Sequence, residues 1–286
     1  MISSHGRFVW YELATIDTEA AKAFYADVVG WGTQDASVPG ASYTLFTAGG
    51  APVSGLIPLP EQAIKMGLRP SWLGYVGVDD VDAAAERIRH LGGVVHVPPQ
   101  DVPNISRVSV AVDPQMATIG LLKWLHSAEQ QPADPDAPGR VGWHELLAVD
   151  WQKVWGFYSD LFGWQKTAAE SGDSYQPFST GGETLGGMLS KPPMVPGPFW
   201  LYYFNIGDID LAVRRVKAGR GRVVNGPIEV PGNRWIVQCT DPLGAIFALS
   251  GKRSHDGIGY FERVGRARRE DPAPAPGERK AQTNDG

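Results

Sequence analysis

The chain has 286 residues, of which 43% are hydrophobic and 20% charged, a globular composition sufficient for two ordinary domains or one large one. Its net charge of −5 argues against nucleic acid or an anionic membrane as the main partner. No apolar run approaches a membrane span and no signal peptide is visible, while the single cysteine, Cys239, fits a reducing compartment. These features predict a cytoplasmic protein.

The first half of the chain contains two successive cycles of a strand, a helix and further strands. In each cycle, apolar residues first alternate, then repeat at helical spacing after an Asp or Thr cap, and then alternate again. The first cycle comprises strand 7–15, helix 18–29 and strands 42–47 and 51–58. The second comprises strand 71–78, helix 81–92 and strands near 94–98, 107–112 and 117–124.

The second half repeats the first. Glu12 and Glu145 are 133 positions apart, and later Trp72 and Trp200 are 128 apart, with the missing residues falling in the Pro-rich stretch 192–198. This offset predicts matching elements: strand 199–206, helix 209–219 and strands 222–224, 234–239 and 245–250. We therefore expect an α+β chain of two tandem copies, each a βαβββ cycle repeated twice, which gives four modules.

Composition also sets the domain boundaries. We assign residues 1–124 to the first domain and 140–253 to the second, and the polar, Pro-rich stretch 125–139 to a linker. The extension 254–286 is charged and poor in apolar residues toward its end, and therefore predicts disorder there.

Five short motifs resemble those of the vicinal oxygen chelate superfamily, which contains glyoxalases, extradiol dioxygenases and bleomycin-resistance proteins. They are 24-FY-25, 157-FY-158, 79-DDVDA-83, 208-DIDLA-212 and 241-DPLG-244. The strand openings, with an aromatic pair before Glu-Leu, resemble its two-domain glyoxalase-like or hydroxylase-like members. The resemblance implies that each copy curls into a concave half-barrel with its helices outside. Because half-sized members of the family pair, it also implies an internal pseudo-dimer, in a chain that is itself a monomer or a homodimer.

Enzymes of this superfamily hold a divalent metal on the concave face with His, Glu or Gln side chains at three fixed places. In this chain the resemblance puts those places at Trp10, Leu73 and Gly120 in the first copy. In the second copy they fall at Trp143, Leu201 and Ala248. None of the six is a metal ligand, so we predict no metal and no other cofactor.

Two glutamates are the candidate catalytic residues. Glu12 and Glu145 each stand two positions after a tryptophan, so strand alternation turns both toward the concave face. Desolvation there should raise the carboxyl pKa, which suits a general base or a salt bridge to a ligand. The competing interpretation is that each glutamate only accepts hydrogen bonds that orient the fold.

Aromatic and amide side chains share the predicted concave face and are the candidate ligand-binding residues: Trp10, Trp143, Tyr75, Tyr203 and Asn205. Trp72, Trp200 and Tyr202 are further candidates for its mouth if strand twist admits them. The alternative for the tryptophans is that they fill the interface between the half-barrels.

His144 stands one position from Glu145, so alternation turns it toward the helices instead. A bulge that redirected it would create a His–Glu pair in the second copy.

These residues leave two classes of function open. The first is metal-independent binding of a small aromatic or cationic molecule, as in bleomycin-resistance-like sequestration or sensing. The alternative is an enzyme, a lyase, isomerase or hydroxylase-like protein, that uses Glu12 or Glu145 as acid or base, or a metal held near His144 and Glu145. In either case one copy could serve only as a scaffold for the other.

Overall fold

A computed structural model of the protein describes residues 4–126, 134, 136–168 and 174–253. Most of the predicted linker and the whole C-terminal extension lie outside these ranges. None of the helices within them is long and apolar enough to cross a membrane.

The first copy contains eight strands and three helices among its described residues. They are β1 (Phe8–Thr15), α1 (Thr18–Val29), β2 (Gly32–Asp35), β3 (Thr44–Ala48), β4 (Ala51–Pro58), α2 (Glu61–Lys65), β5 (Ser71–Gly77), α3 (Val81–His90), β6 (Val94–Val102), β7 (Ser106–Val112) and β8 (Thr118–Trp124). The strands form one open sheet in the order β2-β3-β4-β1-β5-β8-β7-β6.

The second copy repeats this plan. Its elements are β9 (Val141–Ala148), α4 (Trp151–Phe162), β10 (Gln165–Lys166), β11 (Tyr175–Thr180), β12 (Glu183–Ser190), β13 (Phe199–Asp208), α5 (Ile209–Ala218), β14 (Arg222–Val230), β15 (Arg234–Thr240) and β16 (Ile246–Lys252). Its strand order, β10-β11-β12-β9-β13-β16-β15-β14, matches that of the first sheet. The predicted α+β fold of tandem, doubled βαβββ units is confirmed.

Each long helix begins after an aspartate whose carboxylate accepts a hydrogen bond from a backbone N–H in the first turn. These caps are Asp17, Asp80, Asp150 and Asp208. The helices bury one apolar stripe against the sheet, for example Ala21, Phe24, Tyr25 and Val28 in α1.

Strand alternation separates two faces in each sheet. In β1, Tyr11 and Leu13 are buried in the main core with the helices, whereas Trp10 and Glu12 lie on the opposite, concave face. The antiparallel pairs β1–β5 and β9–β13 join the two modules within each copy, so both modules contribute to one concave face.

The two copies pack through their helix-bearing faces, and their contacts come in equivalent pairs. The Tyr25 hydroxyl donates to Asp241, and the equivalent Tyr158 hydroxyl donates to Asp113, at 3.2 and 2.9 Å. Tyr25 and Tyr158 are 133 positions apart, and Asp113 and Asp241 are 128 apart. Each copy thus supplies both the donor and the acceptor of the same contact.

At the centre of this interface, equivalent residues meet each other. The Tyr11 hydroxyl and His144 Nε2 are 2.6 Å apart, and the Gly74 N–H donates to the Tyr202 hydroxyl at 2.7 Å. A Cβ on Gly74 would lie 2.6 Å from the Tyr202 ring, so a side chain there would force that ring to move. The two copies have therefore become complementary rather than identical where they touch.

The aromatic residues proposed for the mouth of the site belong to this interface instead. Trp72 and Trp200 are 7% and 4% exposed, and their indole N–H groups donate to Tyr25 and Tyr158. Strand twist does not admit Trp72, Trp200 and Tyr202 to the mouth, because alternation keeps all three on the core face. For Trp72 and Trp200 the alternative, packing between the half-barrels, is what the structure shows.

Candidate functional site

The centre of the first concave face is a carboxylate held by two tyrosine hydroxyls. Glu12 on β1 accepts a hydrogen bond from Tyr43, just before β3, at 3.0 Å, and another from Tyr75 on β5 at 3.3 Å. The Trp10 indole N–H donates to the Tyr43 hydroxyl at 3.0 Å. The indole, the two phenols and the carboxylate therefore form one connected chain of hydrogen bonds.

The second concave face repeats this arrangement. Tyr203 donates to Glu145 at 2.7 Å, Tyr175 also hydrogen-bonds to Glu145, and the Trp143 indole donates to Tyr175 at 2.8 Å. One further donor is added here, since the Gln238 side chain donates to the Tyr203 hydroxyl at 3.1 Å. The hydrogen-bonded glutamate is thus a shared feature of both copies.

Burial dominates the electrostatics of both glutamates. Desolvation raises the carboxyl pKa of Glu12 and of Glu145, and the tyrosine hydrogen bonds oppose that rise only in part. No lysine, arginine or histidine forms an ion pair with either carboxylate among the described residues. Each site therefore offers a negative charge, or a proton, that no cation in the described part of the chain neutralises.

The two sites differ in how open they are. Glu12 is partly exposed, whereas Glu145 is 8% exposed. The face around Glu145 also carries a small apolar cluster of its own, formed by Leu147, Leu201, Tyr203 and Ala248. Both glutamates are largely enclosed, and Glu12 keeps somewhat more of its surface exposed than Glu145.

Asn205, a predicted ligand-binding residue, lies two positions past Tyr203 and is engaged by an arginine. The Arg234 guanidinium donates to the Asn205 side-chain oxygen at 2.6 Å and to the Ser250 hydroxyl at 3.0 Å. It also lies 3.8 Å from the Asp136 carboxylate. These contacts place a guanidinium at the end of the second concave face.

The corresponding end of the first concave face carries a pair of indoles. Trp124, the last residue of β8, meets Trp10 edge to face, with ring centroids 5.9 Å apart and an interplanar angle of 87°. Both rings are partly exposed. The Nε1 atom of Trp124 is buried and has no hydrogen-bond partner among the described residues.

The profile of the Glyoxalase/Bleomycin resistance protein/Dioxygenase superfamily matches residues 7–121 and 140–249. The chain belongs to this superfamily. It is 33% identical over 245 residues to CFP32 of Mycobacterium tuberculosis, which is provisionally named a glyoxylase; the match covers 84% of this chain and 92% of CFP32. It is 28% identical over 257 residues to the anthracycline biosynthesis protein DnrV of Streptomyces peucetius, covering 85% and 92%.

Solved structures of the superfamily share the fold. The Mn(II)-bound glyoxalase of Novosphingobium aromaticivorans superimposes with a TM-score of 0.60 at 18% identity, covering 88% of this chain and 84% of that protein. At this identity the similarity establishes the architecture and does not transfer the manganese site.

The residues on either concave face do not fit the divalent metal that superfamily enzymes hold there. A divalent ion needs three or more convergent nitrogen or oxygen donors, but the described residues contain no such group of His, Cys, Asp or Glu side chains. At Gly120, one of the expected ligand places, a Cβ would overlap the Tyr75 ring. The space available to a third ligand is filled by the tyrosine that holds Glu12.

His144 does not complete a metal site with Glu145. Its Nδ1 lies 2.7 Å from the Leu185 carbonyl oxygen and its Nε2 lies 2.6 Å from the Tyr11 hydroxyl, both on the core face. Strand β9 does contain a bulge, but it falls between Val141 and Trp143 and leaves the alternation at His144 intact. Burial lowers the imidazole pKa to about 4, so His144 is a neutral core residue.

Sequence reasoning missed Tyr43, Tyr175, Gln238 and Trp124. The two tyrosines carry a signal that repeat alignment could have found, because 42-SY-43 and 174-SY-175 recur 132 positions apart, like the glycine pairs after them. Gln238 and Trp124 carry no such signal, since their equivalents are Val110 and Lys252.

Proposed function

We propose that this protein binds a small planar aromatic molecule, cationic or carrying a polar hydrogen, on the concave face of the first copy and without a metal ion. The observation that carries the proposal is the partly exposed Glu12 carboxylate, fixed by Tyr43 and Tyr75 and without an ion-pair partner among the described residues. A positive charge or a hydroxyl on a ligand would supply the missing partner.

The aromatic character of the ligand follows from what surrounds that carboxylate. Trp10, Tyr43 and Trp124 present ring surfaces beside Glu12, and indoles are the side chains that best attract a flat or cationic molecule. The relative DnrV, named for anthracycline biosynthesis, supports the same class, because anthracyclines contain a planar fused-ring system.

Proflavine, a planar aromatic cation, is a suitable probe. We expect saturable quenching of tryptophan fluorescence by proflavine in the presence of EDTA, with choline as a non-aromatic cation that binds far more weakly. The Glu12→Gln variant should weaken proflavine binding by about tenfold, the size of one well-placed charge interaction.

The matched variant is Glu145→Gln in the second copy. Because Glu145 is more enclosed, we expect this variant to bind proflavine nearly as well as the wild type. Loss of binding in EDTA that returns with added manganese, zinc or iron would contradict the metal-independent proposal.

A second function is favoured by one specific observation, the raised carboxyl pKa of Glu12 at a partly exposed position. A group with this pKa can act as a general base or acid on a bound molecule. If Glu12 acts as the acid or base of an enzyme, the Glu12→Gln variant should still bind the substrate but no longer convert it. If the protein only sequesters its ligand, the same variant should lose binding.

A further inference from the structure

The buried indole N–H of Trp124 is the starting observation. Gly120, Leu122 and Trp124 alternate onto the same face of β8, and the contact with Trp10 shows that this is the concave face. The Trp124 donor is therefore part of the site that holds Glu12, and it has no acceptor among the described residues.

An unpartnered donor of this kind is costly. A buried N–H without an acceptor costs on the order of 1–3 kcal/mol, and buried polar groups almost always find a partner. Six other indole N–H groups of this chain do so, at distances of 2.6 to 3.1 Å: Trp10, Trp31, Trp72, Trp143, Trp164 and Trp200. Trp124 differs from these six indoles; among the described residues the buried Thr15 and Ser54 hydroxyls also lack a partner, but neither is an indole on the concave face.

The feature is specific to the first copy. The position equivalent to Trp124 is Lys252, and the position equivalent to its strand neighbour Ser106 is Arg234. The duplicated fold therefore does not require an indole here. An unpaired donor that the architecture does not need, next to a second indole, is best explained by an acceptor that arrives with a ligand.

Building on the proposed binding function, we infer that Trp124 selects the ligand class. The Trp10–Trp124 pair contacts the ring system of a planar aromatic ligand, and the Trp124 N–H donates to a carbonyl oxygen attached to that ring system. The site thus takes aromatic ketones or quinones in preference to aromatic hydrocarbons of the same shape.

Fluorenone and fluorene test this inference, because they share a planar tricyclic framework and differ in one carbonyl oxygen. Equilibrium dialysis of the full-length protein should show an approximately tenfold preference for fluorenone, the value of one hydrogen bond. In Trp124→Phe the preference should fall to near one, while fluorene still binds because the aromatic contact remains. The control is Trp235→Phe. Trp235 lies on β15 in the second copy, on the helix-bearing face of that sheet, so this variant should keep the preference for fluorenone.

A second measurement uses the wild-type protein and does not depend on how the variant folds. In nitrogen-15-labelled protein, the Trp124 indole N–H resonance should move further downfield with fluorenone than with fluorene, because both probes exert a ring current there but only fluorenone accepts a hydrogen bond. If the wild type binds both probes equally and the resonance moves no further with fluorenone than with fluorene, the inference is wrong and the N–H is directed at the Trp10 ring. If it binds neither probe while proflavine still binds, the inference is wrong and the proposed function stands; if it binds none of the three, both are wrong.

Discussion

The two concave faces of this chain share their strand order and their central glutamate, but they differ in the side chains around that glutamate. In the first copy Glu12 is partly exposed beside Trp10 and Trp124. In the second copy Glu145 is 8% exposed, and Gln238 adds a hydrogen bond to the tyrosine that holds it. Duplication preserved the hydrogen-bonded carboxylate while access to it diverged.

The ends of the two faces differ even more. Where the first copy has Ser106 and Trp124, the second has Arg234 and Lys252, and Arg234 is already engaged by Asn205 and Asp136. A guanidinium whose donors are used within the protein stabilises that face rather than a ligand. The comparison therefore suggests a first copy shaped for binding and a second that has become more of a scaffold.

The largest expected effect is a pH dependence of stability that arises at His144. This residue occupies the position that Tyr11 occupies in the first copy. The unfolded chain takes up a proton on this histidine near pH 6.5, but burial lowers the native pKa to about 4. Between these values the unfolded state binds more protons, so stability falls as pH falls. We expect a loss on the order of 3 kcal/mol across that window from this residue.

Urea unfolding at pH 7 and pH 4.5 measures this loss against His144→Gln, which cannot titrate but can still bond to Tyr11 and the Leu185 carbonyl. The difference in unfolding free energy between the wild type and the variant should change by about 2–3 kcal/mol, to the disadvantage of the wild type, when the pH is lowered from 7 to 4.5. An equal acid sensitivity of the two proteins would show that His144 is not a neutral core residue.

The next effect tests whether the faces can be interchanged. Gly120 is equivalent to Ala248, and a Cβ on Gly120 would overlap the Tyr75 ring. Gly120→Ala should cost about 1–3 kcal/mol, as overpacking does, and should displace Tyr75 from Glu12, so that proflavine binding also weakens.

Ala248→Gly is the reciprocal control, and we expect it to leave proflavine binding unchanged and to lower stability by no more than about 1 kcal/mol. Thermal melts and the fluorescence titration check both variants. If Gly120→Ala binds and melts like the wild type, the close approach of Tyr75 does not restrict this position.

Hydrophobic alternation and helix caps predicted most of the fold. The aspartates before α1, α3, α4 and α5 and the 133-residue offset were sufficient to place four modules. Strand β2 was missed because all four of its residues are exposed and show no alternation. Strands β6 and β14 extend beyond their predicted ends because bulges interrupt the pattern on which the prediction relied.

The candidate site was only partly predictable. Parity placed Glu12 with Tyr75 and Glu145 with Tyr203, since each pair lies on neighbouring strands of its own sheet. Parity did not place Tyr43, which stands one position before β3, although its repeat with Tyr175 could have identified it. Tyr43 reaches Glu12 across Gly55, the residue that pairs with Glu12 on β4, and such convergence depends on strand pairing, which one-dimensional periodicity does not contain.

The smallest expected effect separates the two glutamates by stability alone. Burial raises both carboxyl pKa values, so the native state keeps its proton to higher pH than the unfolded state, and stability falls as pH rises from the unfolded pKa through the native pKa. Glutamine cannot ionise, so Glu145→Gln should gain stability relative to wild type as pH rises from 4 to 8. The gain should be limited to about 1 kcal/mol, because the charge-assisted tyrosine hydrogen bonds of the carboxylate are lost in exchange.

Glu12→Gln should gain less stability than Glu145→Gln, since Glu12 is more exposed. Chemical denaturation across this pH range measures both, and a larger gain for Glu12 would reverse the assignment of the open and the closed face.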